Sequence, residues 1–115
     1  MSHAVDPADL AVTVEPYGMT PFLLYSAADG SARVNHVVAN VEAEPAIARV
    51  NGFGRGVAAR LVDDAPLSLL WPAHTPGGFS LIADGAGEIA GDELIIQISA
   101  AVLHRPAPVD GDTSC

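Results

Sequence analysis

The residues best suited to chemistry form one short run, Asn51-Gly52-Phe53-Gly54-Arg55-Gly56, followed by Val57-Ala58-Ala59-Arg60. Glycines let backbone amides approach an anion closely, and N–H groups at a helix start point toward it. An arginine beside them can grip two phosphate oxygens at once. Gly54, Arg55, Gly56 and Arg60 are therefore candidate holders of a negatively charged head group. The plainer alternative is a flexible connector whose arginines pair with Asp63 or Asp64. The run lacks the Gly-Lys-Ser or Gly-Lys-Thr ending of a triphosphate-binding loop.

A second set lies between Arg33 and Asn40, where Asn35, His36 and Asn40 put polar groups on a segment expected to be half buried. Buried polar groups need partners, so these side chains either meet a ligand, satisfy a neighbour or face solvent. His3, His36, His74 and His104 are widely spaced, with no paired-histidine pattern and no nearby cysteine, so no zinc or haem site follows from them. Imidazole titrates near neutrality, which leaves proton transfer open to any of them. Trp71, Phe79 and Phe53 are either core or interface anchors or, for Trp71, the wall of a flat ring pocket. Ser68 and Ser80 lack a nucleophile elbow, so hydrolase chemistry has no support.

Strands are expected to position these groups. Residues 19–27 and 32–42 flank Ala28-Asp29-Gly30, and an Asp-Gly pair is a strong hairpin signal. In the second strand Val34, His36 and Val38 share one face, and Asn35, Val37 and Ala39 the other. Further strands are expected at 46–50, 67–71, 79–89 and 93–99, with Gly85 and Gly87 marking a bulge or a barrel corner. A short helix follows the glycine run and ends before Pro66. Asp6-Pro7-Ala8-Asp9 can cap another. The expectation is an all-β domain over 17–108, a six-stranded barrel with one or two short helices. An N-terminal arm or helix at 1–16 precedes it, and a disordered tail at 109–115 follows.

The 115 residues suit one domain, and half of them are apolar. No run reaches the roughly 18 apolar residues a membrane helix needs, and the start does not read as a secretory signal. Net charge is −9, from five arginines, no lysine and fourteen acids. Such a surface repels phosphate backbones and anionic lipids, so neither nucleic acid nor membrane is an expected partner. The single cysteine, Cys115, excludes an internal disulfide and fits a reducing cytoplasm. A small apolar barrel with few charges is expected to bury a sheet face against a second copy, giving a homodimer.

The ordered set Ser31-Ala32-Arg33-Val34, Asn51 to Leu61 and Ala65-Pro66-Leu67-Ser68-Leu69-Leu70-Trp71 resembles the flavin-binding split barrels of the pyridoxamine 5′-phosphate oxidase-like family. So do Pro76-Gly77-Gly78-Phe79-Ser80-Leu81-Ile82 and Ala101-Val102-Leu103-His104-Arg105-Pro106, which look like a compact subgroup of it. The resemblance spans roughly residues 18–108. It implies a homodimer with flavin mononucleotide (FMN) or a deazaflavin coenzyme between subunits, acting as an oxidoreductase on a small molecule. In the family an arginine on the second strand and a Ser-Arg-Lys run hold the phosphate. Arg33 falls at the first position and Gly54-Arg55-Gly56 at the run, where glycines replace the serine and the lysine. The backbone through Asn35, His36 and Val37 falls where family members meet the flavin ring edge. The other functions kept open are a dimeric barrel without catalysis, which carries or senses a cofactor or binds none, and a haem-handling barrel using His36 or His104.

Overall fold

The computed structural model describes residues 2–61 and 65–107, apart from the side chains of Arg55, Ala59 and Arg60. The fold is all-β. Its strands are β1 (Ser2–Val5), β2 (Phe22–Ser26), β3 (Ala32–His36), β4 (Val38–Glu42), β5 (Ile47–Asn51), β6 (Ala65–Trp71), β7 (Ser80–Ala90) and β8 (Glu93–His104). One helical turn, α1 (Leu10–Thr13), and one short helix, α2 (Gly54–Arg60), interrupt them. No helix among the described residues is long and apolar enough to cross a membrane.

The strand order is β3-β2-β6-β7-β8-β5-β4, antiparallel throughout, in one curled sheet. Its two terminal strands are consecutive in sequence. β3 and β4 are halves of one segment, separated only by Val37. Val37 donates its N–H to the Pro21 carbonyl over 3.0 Å, and Ala39 donates to Met19 over 2.8 Å. These bonds continue the β2–β3 register, in which Phe22 faces His36, so the bent strand meets β5 on one side and the approach to β2 on the other. The sheet is thereby stitched into a barrel and left split on both sides of the stitch.

The ring uses the six segments expected from the sequence. Eight strands arise because Val37 divides the second segment and because Ser2–Val5 adds a strand against residues 101–104 of β8. The N-terminal segment thus combines a strand with the expected helical turn. Asp6 does cap the turn at Pro7–Asp9, its side chain accepting from the Ala8 N–H over 2.9 Å. Leu10, in the turn after it, is fully buried in the barrel core.

Alternation decides the interior. Leu23 and Tyr25, Leu67, Leu69 and Trp71, Leu81 and Ala83, and Leu94, Ile96 and Ile98 all point inward from their strands and are buried. Val37 and Ala39 join them from the bent strand, and Phe53 and Val57 come from the start of α2. Glycine at 85 is a packing requirement: a Cβ there would sit 2.1 Å from the Gln97 carbonyl oxygen. The register shifts at this point, with Asp84 opposite Ala100 and Gly85 opposite Ile98, so Ser99 is the extra residue of a bulge. Beyond it the inward parity resets to Ala101, and β8 continues past the expected end at Ser99 to His104.

Candidate functional site

The split of the barrel is where the two candidate segments meet. β5 ends at Asn51, paired with Val38, and the chain then turns away through Gly52 and Phe53 into α2. Beyond Val38 the partner of β3 on that side is missing, so β3 is an open edge. In an antiparallel ladder, alternate residues point their main-chain groups to opposite sides. Val37 and Ala39 bond toward the β2 side. The N–H and C=O groups of Val34 and His36 therefore point into the split, one donor and one acceptor from each residue.

Facing them is a stretch of bare backbone. Gly52 and Gly54 have φ of +74° and +78°, the left-handed region that favours glycine. A Cβ on Gly54 would find no atom within 4 Å, and one on Gly52 only the Val38 nitrogen at 4.0 Å. A cleft of about 190 Å³ opens here between Thr20, His36, Val37, Val38 and Gly52. An adjoining one of about 270 Å³ runs from Gly52, Phe53 and Gly54 to Ile89, Gly91 and Asp92. Gly52 belongs to both.

His36 is held firmly at the mouth of the cleft. Its ring stacks on Phe22, centroids 4.6 Å apart and planes 18° apart. Its Nε2 donates to the Thr20 carbonyl over 2.9 Å, and because a carbonyl only accepts, the proton sits on that nitrogen. Nδ1 of the neutral ring is then left as an acceptor.

The other candidate residues are distributed unevenly. Val37 is buried and Asn35 half buried, both on the inner face, whereas His36 is on the outer one. Arg33 lies three residues from His36, about 10 Å along the strand. It lines a different depression, with Leu24, Val34, Pro66, Ser68 and Asp84. Gly54 and Gly56 are exposed at the start of α2. The side chains of Arg55 and Arg60, and residues Asp63 and Asp64, lie outside the described residues. Trp71 is 1% exposed, and its indole N–H donates to the Gly18 carbonyl over 3.1 Å. In the protomer it is a core residue and offers no ring face to a ligand, which corrects its placement in a cofactor pocket.

The arrangement presents exposed main-chain polar groups beside bare glycine backbone. The β3 edge supplies paired donors and acceptors, and the glycines supply close backbone approach; both fit the heterocycle and phosphate of a flavin. Sequence reasoning missed Thr20, whose role depends only on its carbonyl, and missed the open edge itself, which exists because β5 departs at Gly52. Among the described residues no group of three or more His, Cys, Asp or Glu side chains is placed to hold a metal ion. His104 bonds to the Ser2 hydroxyl, Nδ1 to Oγ 2.9 Å, far along β8 from the seam.

Two charged groups elsewhere are plainly structural. Arg49 pairs with Glu42 and, at 3.5 Å, with Glu93, across β4, β5 and β8; the hydrogen bond it donates to Glu42 raises its already high pKa. Asp29 accepts from the Ser31 hydroxyl at 2.6 Å and the Ser31 amide at 2.9 Å, and these bonds hold its carboxyl below the usual value. The chain matches no protein-family model and no curated protein.

Proposed function

We propose that the protein is a homodimeric split barrel of the pyridoxamine 5′-phosphate oxidase-like type. It binds FMN or a deazaflavin coenzyme in the seam and acts as an oxidoreductase on a small molecule in the cytoplasm. What supports this is the open edge of β3 at Val34 and His36, set beside the two left-handed glycines, Gly52 and Gly54. A flavin supplies hydride chemistry when bound; the protein supplies position, hydrogen bonds and exclusion of water. The Val34 and His36 main chain holds the ring edge, and the Gly52–Gly56 backbone, with Arg55, holds the phosphate. The acceptor Nδ1 of His36, fixed by Thr20 and Phe22, orients a donor on the ligand.

A second reading, a barrel that carries the cofactor without turnover, draws on the chemistry of the cleft. Of Thr20, His36, Val37, Val38 and Gly52, only His36 carries a side chain of the acid–base type, and one of its nitrogens is already engaged.

The test is titration of the purified protein with FMN, followed by quenching of flavin fluorescence, in wild type and Gly54→Val. Wild type is expected to quench saturably. The variant forces a β-branched side chain into the left-handed region beside the cleft, and is expected to bind at least about tenfold more weakly. No atom lies within 4 Å of that Cβ position, so the cost is backbone strain rather than a clash, and the variant's thermal unfolding is followed alongside to show that it is folded when titrated. Absence of uptake of both FMN and a deazaflavin overturns the assignment. Uptake without turnover on adding a nicotinamide reductant selects the second reading.

A further inference from the structure

We propose that the end of the barrel beside Phe79 is a second binding site, for a small aromatic carboxylate. It is separate from the seam and shares no lining residue with the two clefts there.

Strand register builds this end. Trp71, Leu81, Leu103 and His3 stand opposite one another across β6, β7, β8 and β1. Trp71 and Leu81 are buried, so the row belongs to the core-facing side. Phe79 precedes Leu81 by two places and Arg105 follows Leu103 by two, so alternation puts both on that side, one layer further out. The Arg105 guanidinium carbon lies over the Phe79 ring, 5.1 Å from its centroid. The His3 ring meets the same phenyl at 5.4 Å, planes 52° apart. The turn Glu15–Tyr17 adds another ring: the Tyr17 hydroxyl donates to the Phe79 carbonyl over 2.9 Å, and the His74 ring stands 5.5 Å from that of Tyr17.

Beside these rings lies a hollow of about 220 Å³, lined by Pro16, Tyr17, His74, Thr75, Gly78 and Phe79. Its rim is a closed turn. Gly78 donates its N–H to the Thr75 carbonyl over 3.0 Å, with Pro76 and Gly77 (φ +78°) between them, the pattern of a type II turn. A Cβ on Gly78 would sit 3.0 Å from the Thr75 hydroxyl oxygen, so the turn packs on itself.

Lining and charge choose the ligand. Three rings and a proline suit a flat apolar body. The hollow is smaller than the about 300–1,000 Å³ of drug-sized sites, so that body is a single ring rather than a flavin. The Thr75 hydroxyl and an imidazole N–H of His74 are donors for a polar end. The chain has fourteen acids against five arginines, yet within two residues of any lining position the only acid is Glu15. Arg105 meanwhile fixes a permanent positive charge against Phe79. That local field favours an anion. The lining itself holds no guanidinium to grip a phosphate in two places, so the anion is a singly charged carboxylate.

Amide NMR titration of the full chain with benzoate tests this. Wild type is expected to show saturable shifts at Thr75, Gly77, Gly78 and Phe79 in the millimolar range. Benzylamine, with the same ring and the opposite charge, is expected to cause none. His74→Ala, at an exposed position, removes one ring and one donor and is expected to weaken benzoate at least about fivefold. Thr75→Val keeps the shape, loses the hydroxyl and is expected to weaken it about threefold; it decides the matter if His74→Ala unfolds early. Arg105→Gln is expected to abolish the preference for benzoate over benzyl alcohol. No saturable shift with benzoate, equal shifts with benzylamine, shifts confined to Val34 and His36, or unchanged affinity in the folded variants would overturn the site. FMN titration of the same samples reports on the seam, so either site can fail while the other stands.

Discussion

Ala39 donates its backbone N–H to the carbonyl of Met19 over 2.8 Å, and with the neighbouring bond from Val37 to Pro21 this joins the two ends of the sheet. The protection of Val37 and Ala39 from exchange should differ from that of Val34 and His36 on the same segment. In hydrogen-exchange NMR, the amides of Val37 and Ala39 are expected to exchange only on global unfolding. Those of Val34 and His36, on the open edge, are expected to exchange quickly. Adding FMN should slow Val34 and His36 and leave Val37 and Ala39 unchanged. Slow exchange at Val34 and His36 in the protein alone would contradict the open edge.

Gly85→Ala should be among the most damaging single substitutions. Its Cβ would fall 2.1 Å from a backbone oxygen and 2.9 Å from an Ile96 methyl, so the bulge itself must move. A loss of about 3 kcal/mol is expected in denaturant unfolding. A loss below about 1 kcal/mol would mean the bulge is pliable.

Trp71 is the only tryptophan, and its emission reports its surroundings. Buried in the core, it should emit at short wavelength and resist acrylamide quenching, shifting red on unfolding. Trp71→Phe removes the bond to Gly18 and part of the packing, and a loss of about 2 kcal/mol is expected. Flavin uptake should be unaffected, because the side chain does not reach the seam.

The Asp29 carboxyl should titrate below an ordinary aspartate, as followed by its side-chain carbon shift. The bonds from Ser31 favour the charged form, so their contribution is present above the ordinary value of about 3.9 and is lost as pH falls through the lower folded value. Ser31→Ala removes the hydroxyl donor and should move the midpoint upward. An unchanged midpoint would show the hydroxyl bond to be irrelevant.

Much of the fold was legible in local signals. The Asp29-Gly30 hairpin forms as its residues dictate, with Gly30 at φ +84°. The alternation from Val34 to Ala39 sets the two faces of the bent strand. Other features depend on distant partners. Ser99 interrupts the alternation of β8, and only the opposing Gly85 makes that a bulge rather than an end. Ser2–Val5 carries no apolar pattern, and it is a strand because residues 101–104 offer an edge.

The site was half legible. Glycine-rich sequence pointed to Gly52–Gly56, and the polar strand pointed to His36; their adjacency follows from the Val38–Asn51 pairing. Trp71 was ambiguous because a large aromatic suits a core and a ring pocket equally, and Gly18, the acceptor of its N–H, is distant in sequence. The continuous apolar runs Phe22-Leu23-Leu24-Tyr25 and Leu69-Leu70-Trp71 already held the information that both faces of the sheet need cover.

Because β3 and β4 are halves of one segment joined at the buried Val37, both lips of the split hang from a single anchor. The opening beside His36 is therefore a product of chain continuity: the same segment that closes the sheet on one side of Val37 leaves it unpaired on the other.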